Sequence, residues 1–219
     1  EGHRIRRVLG PQNVLTTIAG SVNPGFSGDN GPATSAQFGW MQGIVVDSAG
    51  TVDVADATNN RVRQITAGIV TTVAGGGLSF LDNVTPTATT LSPCAIAVDG
   101  AGILYISDCM HNRIRRVWKG AIDTIAGGGS GTGDGIPAKS ASISAGYSLA
   151  VDPAGAVYFN DSNGDINVNR LRRIGTDGII STIQMPPQAA PLRAPTRRSR
   201  TQRPVQSARA FDLRLCIEQ

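Results

Sequence analysis

The chain has 219 residues, with 16% charged and 5% aromatic side chains and 27 glycines, a balance that favours many short strands with tight turns. No apolar run of about 18 residues occurs, which excludes a membrane-spanning helix. Three cysteines exclude a disulfide-rich mini-protein and a cysteine-based zinc ribbon, and two histidines leave little room for a histidine-rich metal centre.

The formal charge of +4 is unevenly placed. Residues 184–219 hold seven arginines, two acids, five prolines and no glycine, which leaves 13 basic and 14 acidic residues in 1–183. The neutral body and the few aromatics for base stacking argue against nucleic acid as a partner. The composition break near Gln184 reads as a boundary between a body, 1–184, and an Arg/Pro-rich tail, 185–219. Two readings of the tail stand side by side: a disordered basic extension, or translation out of frame through GC-rich DNA. Within it, Ala210–Ile217 fits a strand.

The body repeats itself. It opens with H-R-I-R-R-V (His3–Val8) and T-I-A-G (Thr17–Gly20). Then come G-I-V-V-D (Gly43–Asp47), V-D-V-A-D ending at Asp56, N-R-V-R (Asn60–Arg63) and T-V-A-G (Thr72–Gly75). The next copy reads A-I-A-V-D (Ala95–Asp99), L-Y-I-S-D ending at Asp108, N-R-I-R (Asn112–Arg115) and T-I-A-G (Thr124–Gly127). The last reads S-L-A-V-D (Ser148–Asp152), V-Y-F-N-D ending at Asp161, N-R-L-R (Asn169–Arg172) and a decayed S-T-I-Q (Ser181–Gln184). The first aspartates recur after 52 and 53 residues.

Each copy predicts four strands; in the middle copy they fall at about 94–99, 103–108, 113–118 and 121–126. Turns of the form D-x-A-G follow the first strand, with Asp bonding nearby backbone N–H groups and Gly supplying a positive φ. Four short antiparallel strands per unit of about 50 residues is the pattern of a β-propeller blade. The expected fold is therefore all-β, an incomplete propeller forming an open arc: a partial blade at 1–19 and full blades at about 43–74, 94–126 and 148–183. Because the chain begins inside a blade it reads as a fragment, with open blade ends prone to self-association. No signal-peptide pattern is visible.

These motifs resemble the NHL repeat family, most closely its bacterial form, through the linker G-F-S-G-D-N-G-P-A-T (Gly25–Thr34) and the looser L-D-N-V-T-P-T-A (81–88) and G-D-G-I-P-A-K (133–139). The resemblance covers about residues 3–183 and implies a propeller of usually six blades. It also implies an extracellular or cell-surface location.

Recurrence separates structural from functional candidates. Asp47, Asp99 and Asp152 start turns, and Asp56, Asp108 and Asp161 end second strands, so all read as structural. The latter three are expected to accept bonds from the following loop or to pair with Arg61, Arg113 and Arg170. The third-strand arginines, Arg61, Arg63, Arg113, Arg115 and Arg116, lie toward the outside of a blade, where long charged side chains are expected to snorkel. The linker aspartates Asp29, Asp82 and Asp134 lack an EF-hand-like ligand series for calcium. Related propeller lyases use a histidine-ligated zinc and gluconolactonase-like propellers a carboxylate-ligated metal. Here His111 and His3 stand where other copies have Asn and read as loop variants, so neither metal nor cofactor is expected, and no catalytic residue is assigned. Cys94 and Cys109, near one end of a predicted hairpin, are expected to be free thiols.

The loops between second and third strands, and the linkers between blades, share one face of a propeller. The ligand-binding candidates there are Trp40, Met41, Asn59, Asn60, His111, Asn112 and Tyr147, with Phe26, Phe80, Leu81, Asn163 and Asp165 also variable. The expectation is a non-enzymatic binding module for a protein, peptide or glycan. The alternative is part of a propeller lyase or lactonase whose catalytic residues lie in further blades.

Overall fold

A computed structural model describes residues 2–162 and 170–183, together with the backbone of a strand at 214–218. The partial blade supplies β1 (Arg4–Leu9) and β2 (Val14–Ala19). A two-residue stub, β3 (Gly31–Pro32), precedes blade one: β4 (Met41–Val46), β5 (Val52–Asp56), β6 (Arg61–Thr66) and β7 (Ile69–Gly75). Blade two is β8 (Pro93–Val98), β9 (Leu104–Asp108), β10 (Arg113–Trp118) and β11 (Ala121–Ala126). A second stub, β12 (Ile136–Pro137), leads to blade three: β13 (Ala145–Val151), β14 (Val157–Asp161), β15 (Arg170–Ile174) and β16 (Ile179–Thr182). The last strand is β17 (Arg214–Glu218).

Each full blade is an antiparallel meander, and the stubs β3 and β12 add a fifth strand outside β7 and β16. The tail strand β17 lies antiparallel to β1, on the side away from β2. The architecture is an all-β open arc of propeller blades. Its innermost strands, β4, β8 and β13, pack side by side.

The D-x-A-G turns form as their chemistry dictates. Asp47 Oδ1 accepts the N–H of Ala49 (2.9 Å) and Thr51 (2.8 Å), and Asp99 and Asp152 repeat the arrangement. The closing glycines Gly50, Gly102 and Gly155 have φ of 83°, 77° and 90°, a region that costs little only without a Cβ.

The core lies between blades. Alternation along β5 sends Val52 and Val54 toward the partial blade, where they meet Ile5 and Ala19, and sends Ala55 toward Ile96, Leu104 and Ile106 of blade two. A third cluster joins Tyr105 and Ile114 of blade two to Val157, Phe159 and Ile180 of blade three. Each linker adds a buried plug to its cluster: Phe38, Leu91 and Ile143. Burying such a side chain contributes about 1.5–3 kcal/mol.

Two expectations are corrected here. Arg63 and Arg115 do not snorkel outward; with Arg172 they are among the most deeply buried large side chains, because the linker ahead of each blade folds over them. Cys94 and Cys109 are not free thiols but form a disulfide. Regular pairing would have left them out of register. A β-bulge between Pro93 and Ala95 displaces Cys94 from the ladder and brings the two Cα atoms to 6.0 Å.

Candidate functional site

The loop face is built on a polar node repeated in every full blade. In blade one, Arg63 reaches Asp29 of the preceding linker at 2.8 Å and Asp56 at 3.7 Å, and donates to the Ser27 and Gln37 carbonyls. Thr72 of the outer strand donates to Asp29 at 2.6 Å. In blade two, Arg115 reaches Asp82 at 3.2 Å, and Thr124 donates to Asp82 through both backbone and hydroxyl. In blade three, Arg172 reaches Asp134 and Asp161, each at 3.2 Å, and Thr182 donates to Asp134. The linker aspartates are thus committed to arginine and threonine. Burial draws the Arg115 guanidinium below its usual value, and Asp82 followed by Asp108 opposes that shift.

The second-strand aspartates tie the linker to the loop that follows them. Asp56, Asp108 and Asp161 are fully buried and accept the N–H of Gly39, Ser92 and Ser144, each at 2.8 Å. Burial holds the Asp56 carboxyl above its usual range, against the bonds from Asn59 and Gly39. Each following loop is a single 3-10 turn in blades one and two, ended by Asn60 or Asn112 in the left-handed region (φ 55° and 52°). His3 adopts the same conformation (φ 66°), and its Nδ1–H donates to the Gly39 carbonyl, 2.9 Å away.

Around this scaffold the blades differ. In blade one, Asn59 donates to both Asp56 oxygens at 2.9 Å and to the Gly25 carbonyl at 2.8 Å. Arg61 donates to the Asn59 carbonyl and lies 3.5 Å over the Phe26 ring. In blade three, Arg170 pairs with Asp161 at 2.9 Å. In blade two, the Asn59 position is His111, whose Nδ1 lies 2.7 Å from Asp108 Oδ1. Arg113 turns away from Asp108 and donates to the Phe80 carbonyl at 3.4 Å. The Phe80 ring stands edge-on to His111 at 5.2 Å. Asp108 therefore has a direct imidazole partner where Asp161 has guanidinium groups.

This arrangement is a histidine oriented by a buried carboxylate. In the neutral imidazole, a bond from Nδ1–H to Asp108 Oδ1 leaves the lone pair on Nε2. The His111 side chain is 25% exposed and Asp108 is 0% exposed. The pair can take up a proton at Nε2 and stabilise the resulting imidazolium. Among the described residues, no group of three or more His, Cys, Asp or Glu is arranged to hold a metal ion.

The remaining candidates fall in different settings. Trp40 (47% exposed) and Tyr147 (70% exposed) stand at the surface, and Asn60 and Asn112 are exposed turn ends. Asn59 is engaged with Asp56, and Met41 is wholly buried against the partial blade, so neither offers its side chain to the loop face. Phe80, Leu81 and Met110 project from the loops of blade two. Asn163 and Asp165 lie outside the described residues. The pairing of Asp108 with His111 was missed by treating His111 as a loop variant. Its signal was a histidine three residues after a recurring buried aspartate.

No family model matches the chain, and no curated protein matches it. Solved structures do. Virginiamycin B lyase from Staphylococcus aureus, as a catalytically inactive histidine-to-alanine variant with quinupristin, aligns over 85% of this chain and 50% of its own, at 17% identity and a TM-score of 0.51. A gluconolactonase from Xanthomonas campestris aligns over 68% of this chain and 48% of its own, at 18% identity and a TM-score of 0.51. The chain thus spans about half the length of these structures. They place it in a distantly related β-propeller fold of the lyase and lactonase type. They also correct the expectation of a non-enzymatic, protein-binding module and the leaning against an enzyme, since both of these fold relatives are enzymes.

Proposed function

We propose that this chain is part of a propeller enzyme of the lyase or lactonase type, with His111 as its proton acceptor and Asp108 as the residue that orients it. The observation that carries this reading is the 2.7 Å contact between His111 Nδ1 and a fully buried Asp108 on the loop face. Elimination needs a base for a carbon-bound proton, and lactone opening needs a base for the attacking water; a neutral Nε2 serves either. That a histidine substitution inactivates the lyase relative supports the use of this side chain on this fold. The wording of the repeats supports a place among bacterial NHL-type propellers. The disulfide supports an extracellular or cell-surface location, where such bonds persist.

The test is turnover of glucono-lactone and of quinupristin by the native protein and by His111→Asn. Asn at this position keeps the bond to the strand-end aspartate, as Asn59 does in blade one, so the fold is retained. Loss of the base lowers turnover by about 10²–10⁴-fold. Turnover within twofold of native, or no turnover of either compound by the native protein, overturns the reading.

A further inference from the structure

Beside the His111–Asp108 pair lies a cleft of about 330 Å³, lined by Phe80, Leu81, Asp82, Arg113, Gly128 and Lys139 among others. Phe80 stands between it and the pair: its ring meets His111 edge-on, and its carbonyl accepts from Arg113. Charge in the cleft is unbalanced. Asp82 is neutralised by Arg115 at 3.2 Å and also accepts from Thr124. Asp123, the nearest acid to Lys139 at 4.0 Å, is held by Arg116 through two bonds of 3.0 and 2.9 Å. Arg113 contacts a carbonyl where the equivalent Arg170 contacts a carboxylate. Two cations therefore face the cleft with the neighbouring acids already committed.

The walls add a second requirement. Phe80 and Leu81 are 57% and 68% exposed, an apolar rim beside the two cations. Arginine recognises planar anions through paired N–H groups, and a lysine adds a mobile point charge.

We propose that this cleft is a subsite for a carboxylate attached to an aromatic or similarly flat apolar group, and that it holds such a substrate with its reacting end toward His111. The inference rests on the enzymatic reading for the role of His111, but the subsite itself is read by binding alone.

The probe is benzoate, titrated into the native protein and followed by NMR at the His111 imidazole and backbone amides. Benzamide, the neutral isostere, is titrated in parallel. The expected result is that benzoate binds at least about ten-fold more tightly than benzamide, shifts Gly128 and His111 resonances, and loses that advantage in both Arg113→Gln and Lys139→Gln. Arg113→Lys restores part of it. Lys139 is largely exposed, so its variant remains informative even if the arginine variant fails to fold. Equal binding of benzoate and benzamide, or an advantage unchanged by both charge removals, overturns the subsite. If benzoate binds as expected while His111→Asn leaves turnover intact, the enzymatic assignment falls and the subsite stands. If His111→Asn abolishes turnover and benzoate shows no preference, the subsite alone falls.

Discussion

Asp53 occupies the position that Tyr105 and Tyr158 hold in the other blades, where each tyrosine hydroxyl donates to the turn aspartate below it. Alternation turns Asp53 toward blade two, and only 4% of its surface is exposed. Gln64 donates to it at 3.0 Å, yet burial, with Asp47 adding to it, pushes its carboxyl up to about 6 from 3.8. The folded protein therefore keeps this proton through a pH range in which the unfolded chain has released it. Stability from this site is fully present below pH 3.8 and is lost as pH rises through about 6. At neutral pH the ionised form carries a penalty of about 3 kcal/mol. Asp53→Asn keeps an acceptor for Gln64 and removes the charge. It should be close to neutral at pH 4 and stabilising by about 2–3 kcal/mol at pH 7, or roughly 5–10 °C in Tm. The assay is urea denaturation of both proteins between pH 4 and 7, in which the difference cancels every other titrating group. Parallel stability profiles across that range would refute the reasoning.

Other outcomes follow from the same packing. Reducing the disulfide, or replacing Cys94 with Ser, opens a loop closed across 15 residues and should cost about 3 kcal/mol, read by denaturation with and without a thiol reductant. Arg115→Ala leaves Asp82 without its cation beside a buried node and should cost about 3–5 kcal/mol, whereas Arg116→Ala, on a partly exposed pair, should cost about 1 kcal/mol or less. Similar losses at the two positions would contradict the buried placement of Arg115.

Strands and turns were legible in the sequence because their chemistry is local. Asp47 bonds residues two and four positions on, and Gly50 supplies the required φ, so a short window contains the whole cause. The fate of Arg63 and Arg115 was not legible. Alternation says that two side chains share a face but not that a neighbouring blade covers it, and the aspartates that receive these arginines lie in a linker more than a strand pair away. The disulfide depended on a bulge that the residue pattern does not announce. His111 was visible as a departure from Asn59, but its meaning needed the turn that folds it back onto Asp108. The enzymatic character of the fold relatives was outside what repeats can reveal, since repetition reports scaffolding and a reacting group is unique within it.

The arginine nodes also define what could be moved between propellers. Asp82 serves Arg115, Asn83 donates to the Ile122 carbonyl, and Val84 bridges to Ile122, so the linker ahead of blade two is fastened to that blade's outer strands. The same holds for Asp29 with Arg63 and for Asp134 with Arg172. A gene segment cut at the first strand would separate each guanidinium from its linker carboxylate. A segment beginning just after Gly75 and ending at Ala126 carries both halves of the contact. Duplication and exchange of blades during evolution, or by an engineer, would keep these linker ion pairs when the crossover falls there.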